Sequence, residues 1–465
     1  MPGGAVCSRC KEHDAVTELR TDEVCASCYT AFIEQKVIKR LEVLQRETKS
    51  AKQTLKNQGP PKQQRYLLAL SQGPSSTALL HVLCENLRRQ RARGQRERFE
   101  VVGVYVHVDV DAGAGVDGFG NEAVGATPPE KKTDDPLAEH FPEIPIHRIA
   151  LSSIIGAPEV DWASLPGPNS SSDSAAVDEP LSKSQRLAQI LLSLPTPSAR
   201  ADVTRLLTRH ALLRAALTFA CDVVLLGYNT TALAELTLTE AAKGRGFGVP
   251  WLVNDGVFPL PSWVDDDSPG LKGGGSEERR NAEGKEGTTE GIPIYSPLRE
   301  ILRKEILTYL SLASSPASSL SSSFPHLLPL SSSSSTKAPA VISHRDLSLD
   351  AVVQRYFVDV EAQYPSVVAN VVRTTGKLSR QRQQNNSPAT ELCGLCGIVL
   401  DPVGDERWKG ELGEEEERGE EQEKEEVSPG EGGEDGEDGV IGGDGETAKR
   451  RKRKLCYGCQ RSVKG

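Results

Sequence analysis

Eight of the ten cysteines fall in four Cys-x-x-Cys pairs. Each pair sets two thiols on one side of a tight turn, half of the tetrahedral sulfur site that zinc prefers. Cys7, Cys10, Cys25 and Cys28 form C-x2-C-x14-C-x2-C, close to the spacing of a zinc ribbon. Cys393 and Cys396 are matched by Cys456 and Cys459, but 59 residues separate the two halves. This second set reads either as one zinc site with an insert or as two incomplete sites. Zinc is the expected ion in both modules, with iron–sulfur ligation by the same thiolates as the other option. Four thiolates leave no open position on a metal, so both modules are expected to be structural. Cys84 and Cys221 stand apart and read as small buried hydrophobes.

The second chemical signal is LLALSQGPSSTALL, Leu67–Leu80. It reads as a buried strand, a turn and an apolar helix. Ser71, Gly73, Ser75 and Ser76 would then offer hydroxyls and backbone N–H groups at a helix N-terminus, where anions are favoured. Helix caps have the same composition, so the loop alone decides nothing. Further on stand LLGYNTTALAE (Leu225–Glu235) and IPIYSPLREILRKEILTYL (Ile292–Leu310). Together these segments resemble the SGGxDS loop, the GHNxDDxxE-like segment and the proline-then-KEI helix of the tRNA-thiolation branch of the PP-loop ATP pyrophosphatases. The resemblance implies an α/β fold: a parallel sheet with helices on both faces, flanked by N- and C-terminal zinc-ribbon-like modules. It also implies ATP as cofactor at Ser71, Gly73, Ser75, Ser76, Gly227 and Asn229.

The chain departs from that pattern where chemistry would occur. Gln72 replaces the second Gly, Pro74 removes an N–H donor, and Ser75 stands where the Asp should be. Tyr228 replaces the His, and Thr231 and Ala232 replace the acidic pair, while Glu235 remains. Catalytic members of the branch carry a Cys-x-x-Cys in the preceding helix, and the matching stretch 198–214 has no cysteine. The resemblance therefore implies a degenerate, non-catalytic subunit in the 2-thiolation of wobble uridine in cytosolic tRNA. Its implied partners are tRNA and a catalytic thiouridylase subunit, with sulfur from a thiocarboxylated ubiquitin-related modifier. Two other readings stay open: an active ATP-dependent thiouridylase, and a zinc-ribbon RNA-binding protein with no thiolation role.

The elements that must position these groups follow from patterning. Strands are expected at 66–70, 99–108, 146–151 and 223–226, and helices at 76–89, 184–194, 202–219 and 230–243. This alternation implies a parallel sheet. Residues 1–30 read as the first cysteine module and 31–61 as a solvated connecting helix and linker. The α/β domain spans 62–378, with inserts near 113–132, 165–180, 265–290 and 311–340. The second module spans 379–465, interrupted by an acidic insert at 405–448. Residues 411–446 hold 17 acidic and 2 basic residues, so the rest of this chain of net charge −10 carries +5. A mildly basic remainder suits RNA. The candidate contacts are Arg88, Arg89, Arg91 and Arg93 at the end of the first helix, and Lys449, Arg450, Arg451 and Lys452 in the KRRKRK run. No apolar stretch is long enough to span a bilayer, and the first residues carry no apolar leader. A cytoplasmic location is expected.

Overall fold

The computed structural model describes residues 5–53, 63–110, 136–166, 181–260, 291–313, 347–380, 391–401, 404 and 453–464. Six strands form one sheet: β3 (Gln64–Leu70), β4 (Phe99–His107), β5 (Ile146–Ala150), β6 (Val223–Leu225), β7 (Gly256–Pro259) and β8 (Gly291–Tyr295). β1 (Thr17–Leu19) and β2 (Asp22–Val24) make a separate hairpin. The sheet order is β5-β4-β3-β6-β8-β7, parallel throughout except for β7 against β8. After β3 the chain moves outward to β4 and β5, then returns to lay β6 on the other side of β3. The carboxyl ends of β3 and β6 therefore flank the switch point, where open α/β sheets bind ligands.

Alternation along the strands builds two cores, one on each face. Leu67, Val102, Val104 and Val224 point to one face. There they meet α4 (Lys183–Ser193), α5 (Pro197–Thr218), α6 (Thr230–Ala242) and the later helices α9 (Leu349–Gln363) and α10 (Pro365–Thr375). Tyr66, Leu68, Leu70, Val101, Val223 and Leu225 point to the other, against α1 (Ala26–Gln53), α2 (Pro74–Ala92) and α8 (Arg303–Ala313). Each buried Val or Leu contributes about 1.5–3 kcal/mol relative to exposure. Short helices α3 (Pro136–His140), on the α2 face, and α7 (Val249–Val253), on the α5 face, complete the two layers. Among the described residues no helix is long and apolar enough to cross a membrane.

Three expectations fail in informative ways. α1 is not a solvated connector: Tyr29, Ile33, Val37, Leu41 and Leu44 form a fully buried stripe at helical spacing. Its charged residues mask that stripe in a linear reading. The expected strands do not include β7 or β8, and β8 carries Pro293, a residue that central strands seldom hold. The parallel ladder with β6 begins only at Ile294, so the N–H that Pro293 lacks is not required on that side. Two expected inserts are trimmed by packing, since Leu165 is buried and Ser311–Ala313 end α8. The inserts at 113–132 and 265–290 and the acidic insert at 405–448 lie outside the described residues.

The face carrying α2 has a built-in acid sensitivity. His81 Nδ1 lies 2.7 Å from Tyr309 Oη, and burial pushes the imidazole pKa down from 6.5 to about 4. Below pH 6.5 the unfolded chain takes up a proton that the folded chain refuses until about pH 4. Stability is therefore expected to fall by up to about 3 kcal/mol as pH drops through that window. Denaturant unfolding as a function of pH checks this. His81→Gln, which cannot titrate, should flatten the slope.

Candidate metal centres and phosphate-loop site

The loop after β3 and the loop after β6 meet at the switch point. Gly73 caps α2, with Pro74 opening the helix. Gln72 adopts a left-handed φ of 59°, a conformation that favours glycine and that the family's second Gly would take at less cost. The loop hydroxyls are turned inward. Ser76 Oγ donates to Gly73 O at 3.0 Å and accepts from Ser71 N at 3.2 Å, with Ser71 Oγ 3.1 Å away. Ser75 Oγ accepts from Asn229 Nδ2 at 2.8 Å, while Asn229 Oδ1 caps α6 by accepting from Ala232 N. Gly227 lies so close that an added Cβ would sit 2.9 Å from Ser76 Cα. All six loop residues singled out from sequence are thus brought together, as a self-bonded knot rather than an open cradle of donors.

A second layer lies behind this knot, and sequence reasoning missed half of it. Arg303 Nη2 reaches both carboxylate oxygens of Glu235, at 2.7 and 2.8 Å. Burial drives the Glu235 pKa up to about 7 against the opposing pull of Arg303. Thr231, where the resembled motif would place an acid, donates from Oγ1 to Glu361 Oε2 at 2.6 Å. Glu361 is itself buried on α9, and its Oε1 accepts from Lys304 N at 2.8 Å. A carboxylate supplied from 130 residues away thus stands beside Thr231. No local pattern could have announced it.

The cysteines converge as two tetrads. In each, all four sulfurs lie within 4.8 Å of one another. The first joins the turn before β1, closed by the Val6–Asp14 bridge, to the end of β2 and the start of α1, with Cys7 and Cys25 buried and Cys10 and Cys28 half-buried. Cys10 Sγ and Cys25 Sγ are 3.8 Å apart. In the second, Cys393 and Cys396 face Cys456 and Cys459, the latter on α11 (Tyr457–Lys464), with Cys396 Sγ 3.8 Å from Cys456 Sγ. The four therefore make one site, not two halves. Four thiolates at about 2.3 Å from a tetrahedral zinc would lie about 3.8 Å apart, so the donor set fits a single ion. Four thiols this close cannot all ionise without a cation. Burial raises the Cys7 pKa, but N–H donors of Cys10, Cys25 and Arg9 prevail and bring it to about 6. The hydrogen bond that the Cys28 thiol donates to Cys25, together with burial, drives Cys28 up to about 12. The modules dock on opposite faces of the sheet, the first with the α1–α2 core and the second with the α5–α6 core.

The remaining cysteines are remote from the switch point. Cys84 is fully buried within α2, and Cys221 precedes β6, at the end of that strand away from the loops. Burial raises both thiols, to about 12 and about 11. The arginines expected to track phosphate have protein partners. Arg88 pairs with Glu85 and Glu143, Arg89 with Glu34, and Arg91 with Glu97. Most of these partners sit on other elements, which is why the cluster looked free in sequence. Among the described residues Arg93 has no ion-pair partner. Lys449, Arg450, Arg451 and Lys452 lie outside the described residues.

Comparison with known proteins places this site in a family. The cytoplasmic tRNA 2-thiolation protein 2 of Phaeosphaeria nodorum is 30% identical over 404 residues, covering 87% of this chain and 86% of that one. The chain belongs to the cytoplasmic tRNA 2-thiolation protein 2 family. The Sclerotinia sclerotiorum member of that 2-thiolation family is 32% identical over 378 residues, 81% of this chain and 84% of its own. The family model for cytoplasmic tRNA 2-thiolation protein 2 matches residues 348–461, a stretch holding α9, α10 and the whole C-terminal tetrad. Among solved structures, the U34-tRNA thiolase NcsA of Methanococcus maripaludis, determined with its 4Fe-4S cluster, aligns at a TM-score of 0.43 with 14% identity. That alignment covers 85% of this chain and 97% of the thiolase.

Proposed function

We propose that this chain serves the 2-thiolation of wobble uridine in cytosolic tRNA as a non-catalytic subunit. It would pair with a catalytic thiouridylase subunit, contact tRNA, and leave ATP activation and sulfur transfer to that partner. The sulfur would come from a thiocarboxylated ubiquitin-related modifier, and the work would be done in the cytoplasm. Family membership supports the pathway. One observation carries the non-catalytic role: among the described residues no thiol stands at the switch point, while Ser71 and Ser76 bond each other and Ser75 accepts from Asn229. Thiolation needs a nucleophilic sulfur and a cradle for the departing phosphates. This edge of the sheet supplies neither ready-made.

In the same reading residues 1–30 and 379–465 are metal modules on an α/β domain spanning 62–378. Zinc would be held by Cys7, Cys10, Cys25 and Cys28, and by Cys393, Cys396, Cys456 and Cys459. With four thiolates and no open position, the ion cross-links chain segments and supplies no catalysis.

Mass spectrometry of bulk tRNA from cells lacking the protein tests the proposal. Wobble 2-thiouridine should disappear, and should return with the wild-type chain and equally with a Ser71→Ala/Ser75→Ala/Ser76→Ala variant. Unchanged thiolation in the deleted cells would overturn the assignment to the pathway. A stably folded triple variant that fails to restore thiolation would overturn the non-catalytic role of the loop.

A further inference from the structure

The two tetrads differ in their surroundings. Cys10 and Cys28 reach solvent, whereas Cys393, Cys396 and Cys459 are no more than 1% exposed. A divalent ion bound by four thiolates carries two net negative charges. Water and salt can screen that charge at the first site. At the second, where only Cys456 is half-buried, most of it must be offset from within the protein.

A buried ionic cluster lies against the second tetrad, and it carries more cations than anions. Arg205, Lys243 and Arg245 pair with Asp202, Glu240 and Asp350, and buried Arg209, stacked over the Phe258 ring, is a fourth cation beside them. Arg245 is the member that reaches the sulfur. Its side chain is 1% exposed. Its fork grips Asp202, with Nη1 3.0 Å from Oδ1 and Nη2 on Oδ2. The same Nη2 points at Cys459 Sγ, 3.6 Å away, and lies 3.2 Å from Ser462 Oγ. Ser462 in turn donates to Asp202 Oδ2 at 2.7 Å. Cys459 and Ser462 are one helical turn apart on α11, so Asp202 and Ser462 together hold the guanidinium on the sulfur. Nearby, Arg209 Nη1 is buried with no hydrogen-bond partner, which adds uncompensated positive charge beside the site.

We propose that Arg245 is a positioning residue for the C-terminal metal centre: held by Asp202 and Ser462, it supplies the counter-charge and the sulfur hydrogen bond that retain the ion on Cys393, Cys396, Cys456 and Cys459. The inference rests on the metal reading of that tetrad given above. It makes the centre an extension of the α5–α6 ionic cluster rather than a free-standing knuckle, and it gives the two tetrads of one chain different rules for holding metal.

The test uses the full-length chain loaded with cobalt(II), whose sulfur-to-metal charge-transfer bands report each thiolate. Metal release to an excess chelator should show two phases, one per tetrad. In R245M the C-terminal phase should quicken by about 10–100-fold, the usual effect of removing a second-sphere partner, and its charge-transfer band should shift. The N-terminal phase should not change. R245K keeps the charge and should recover much of the retention, although it cannot reproduce the fork. Ser462→Ala leaves the Arg245–Asp202 pair intact, serves if R245M does not fold, and should quicken the same phase by a smaller factor. If wild type and R245M release the C-terminal ion at one rate, or if R245K is no better than R245M, the inference falls while the metal reading stands. If wild type holds no ion at the C-terminal tetrad, the metal reading falls and takes the inference with it.

Discussion

If the C-terminal tetrad holds a structural metal as proposed, replacing Cys393 and Cys396 together by Ser is expected to cost at least about 4 kcal/mol of stability, because loss of such an ion is among the few causes of effects that large. The damage should be concentrated on one face of the sheet. Leu395, Ile398, Leu400 and Cys459 belong to the same core as α4, α5 and α6, so loosening the tetrad uncovers apolar surface that α5 and α6 rely on. Hydrogen exchange should show protection falling first around α5, α6 and α11, while α1, α2 and α8, on the other face, retain theirs longer. Uniform loss of protection across both faces would contradict the two-core picture. The equivalent change at Cys7 and Cys10 should invert the pattern, since that module packs with Tyr29, Ile33 and the α2 core and is tied to α8 by Arg20 on Glu305.

Asp202→Ala should be nearly as severe. Asp202 is fully buried at the centre of the ionic cluster, in contact with Arg205, Lys243 and Arg245. Burial alone would raise its pKa, but those three cations prevail and hold it well below the ordinary carboxylate range. Truncating it leaves two guanidiniums and an ammonium packed together with Glu240 as their main remaining buried anion. Breaking a buried network by removing one partner costs about 3–5 kcal/mol. Urea unfolding would measure the loss. Asp202→Asn, which keeps the hydrogen-bond acceptor but not the charge, should recover only part of it. A cost below about 1 kcal/mol for the alanine variant would mean that the cluster is more hydrated than its burial implies.

Much of this architecture is legible in the chain because its signals are local. The β3–loop–α2 unit announces itself through an apolar run, a Gly-containing turn and a second apolar run, and β4 and β6 are recognisable by their Val content. The tetrads follow from Cys-x-x-Cys spacing, although only folding shows that Cys393 and Cys456 share a site. What sequence hides is whatever depends on distant partners. The arginines ending α2 look like a phosphate track until Glu34 on α1 and Glu143 before β5 come to meet them. Glu361 and Asp202 look like ordinary helix-surface acids until their helices bury them. β7 and β8 are short, one carries a central proline, and each makes sense only against its neighbour. The Gln72 and Ser75 substitutions were readable, but the inward turn of the loop hydroxyls was not, since Asn229 reaches Ser75 across 154 positions.

The spread of the C-terminal tetrad along the chain has a consequence for biosynthesis. The first tetrad is complete once Cys28 has been made, so that module can close while the sheet is still being synthesised. The second cannot close until Cys459 has emerged, by which time every strand of the sheet has already been translated. Its ion would therefore act as a late seal on one face of an otherwise finished domain. A chain released early, lacking α11, would present Gly244 and Arg245 without the Tyr457 and Gly458 that pack against them. It would also leave Cys393 and Cys396 as an unpartnered dithiol in the middle of a large apolar core. Completion of this core therefore waits on the synthesis of α11.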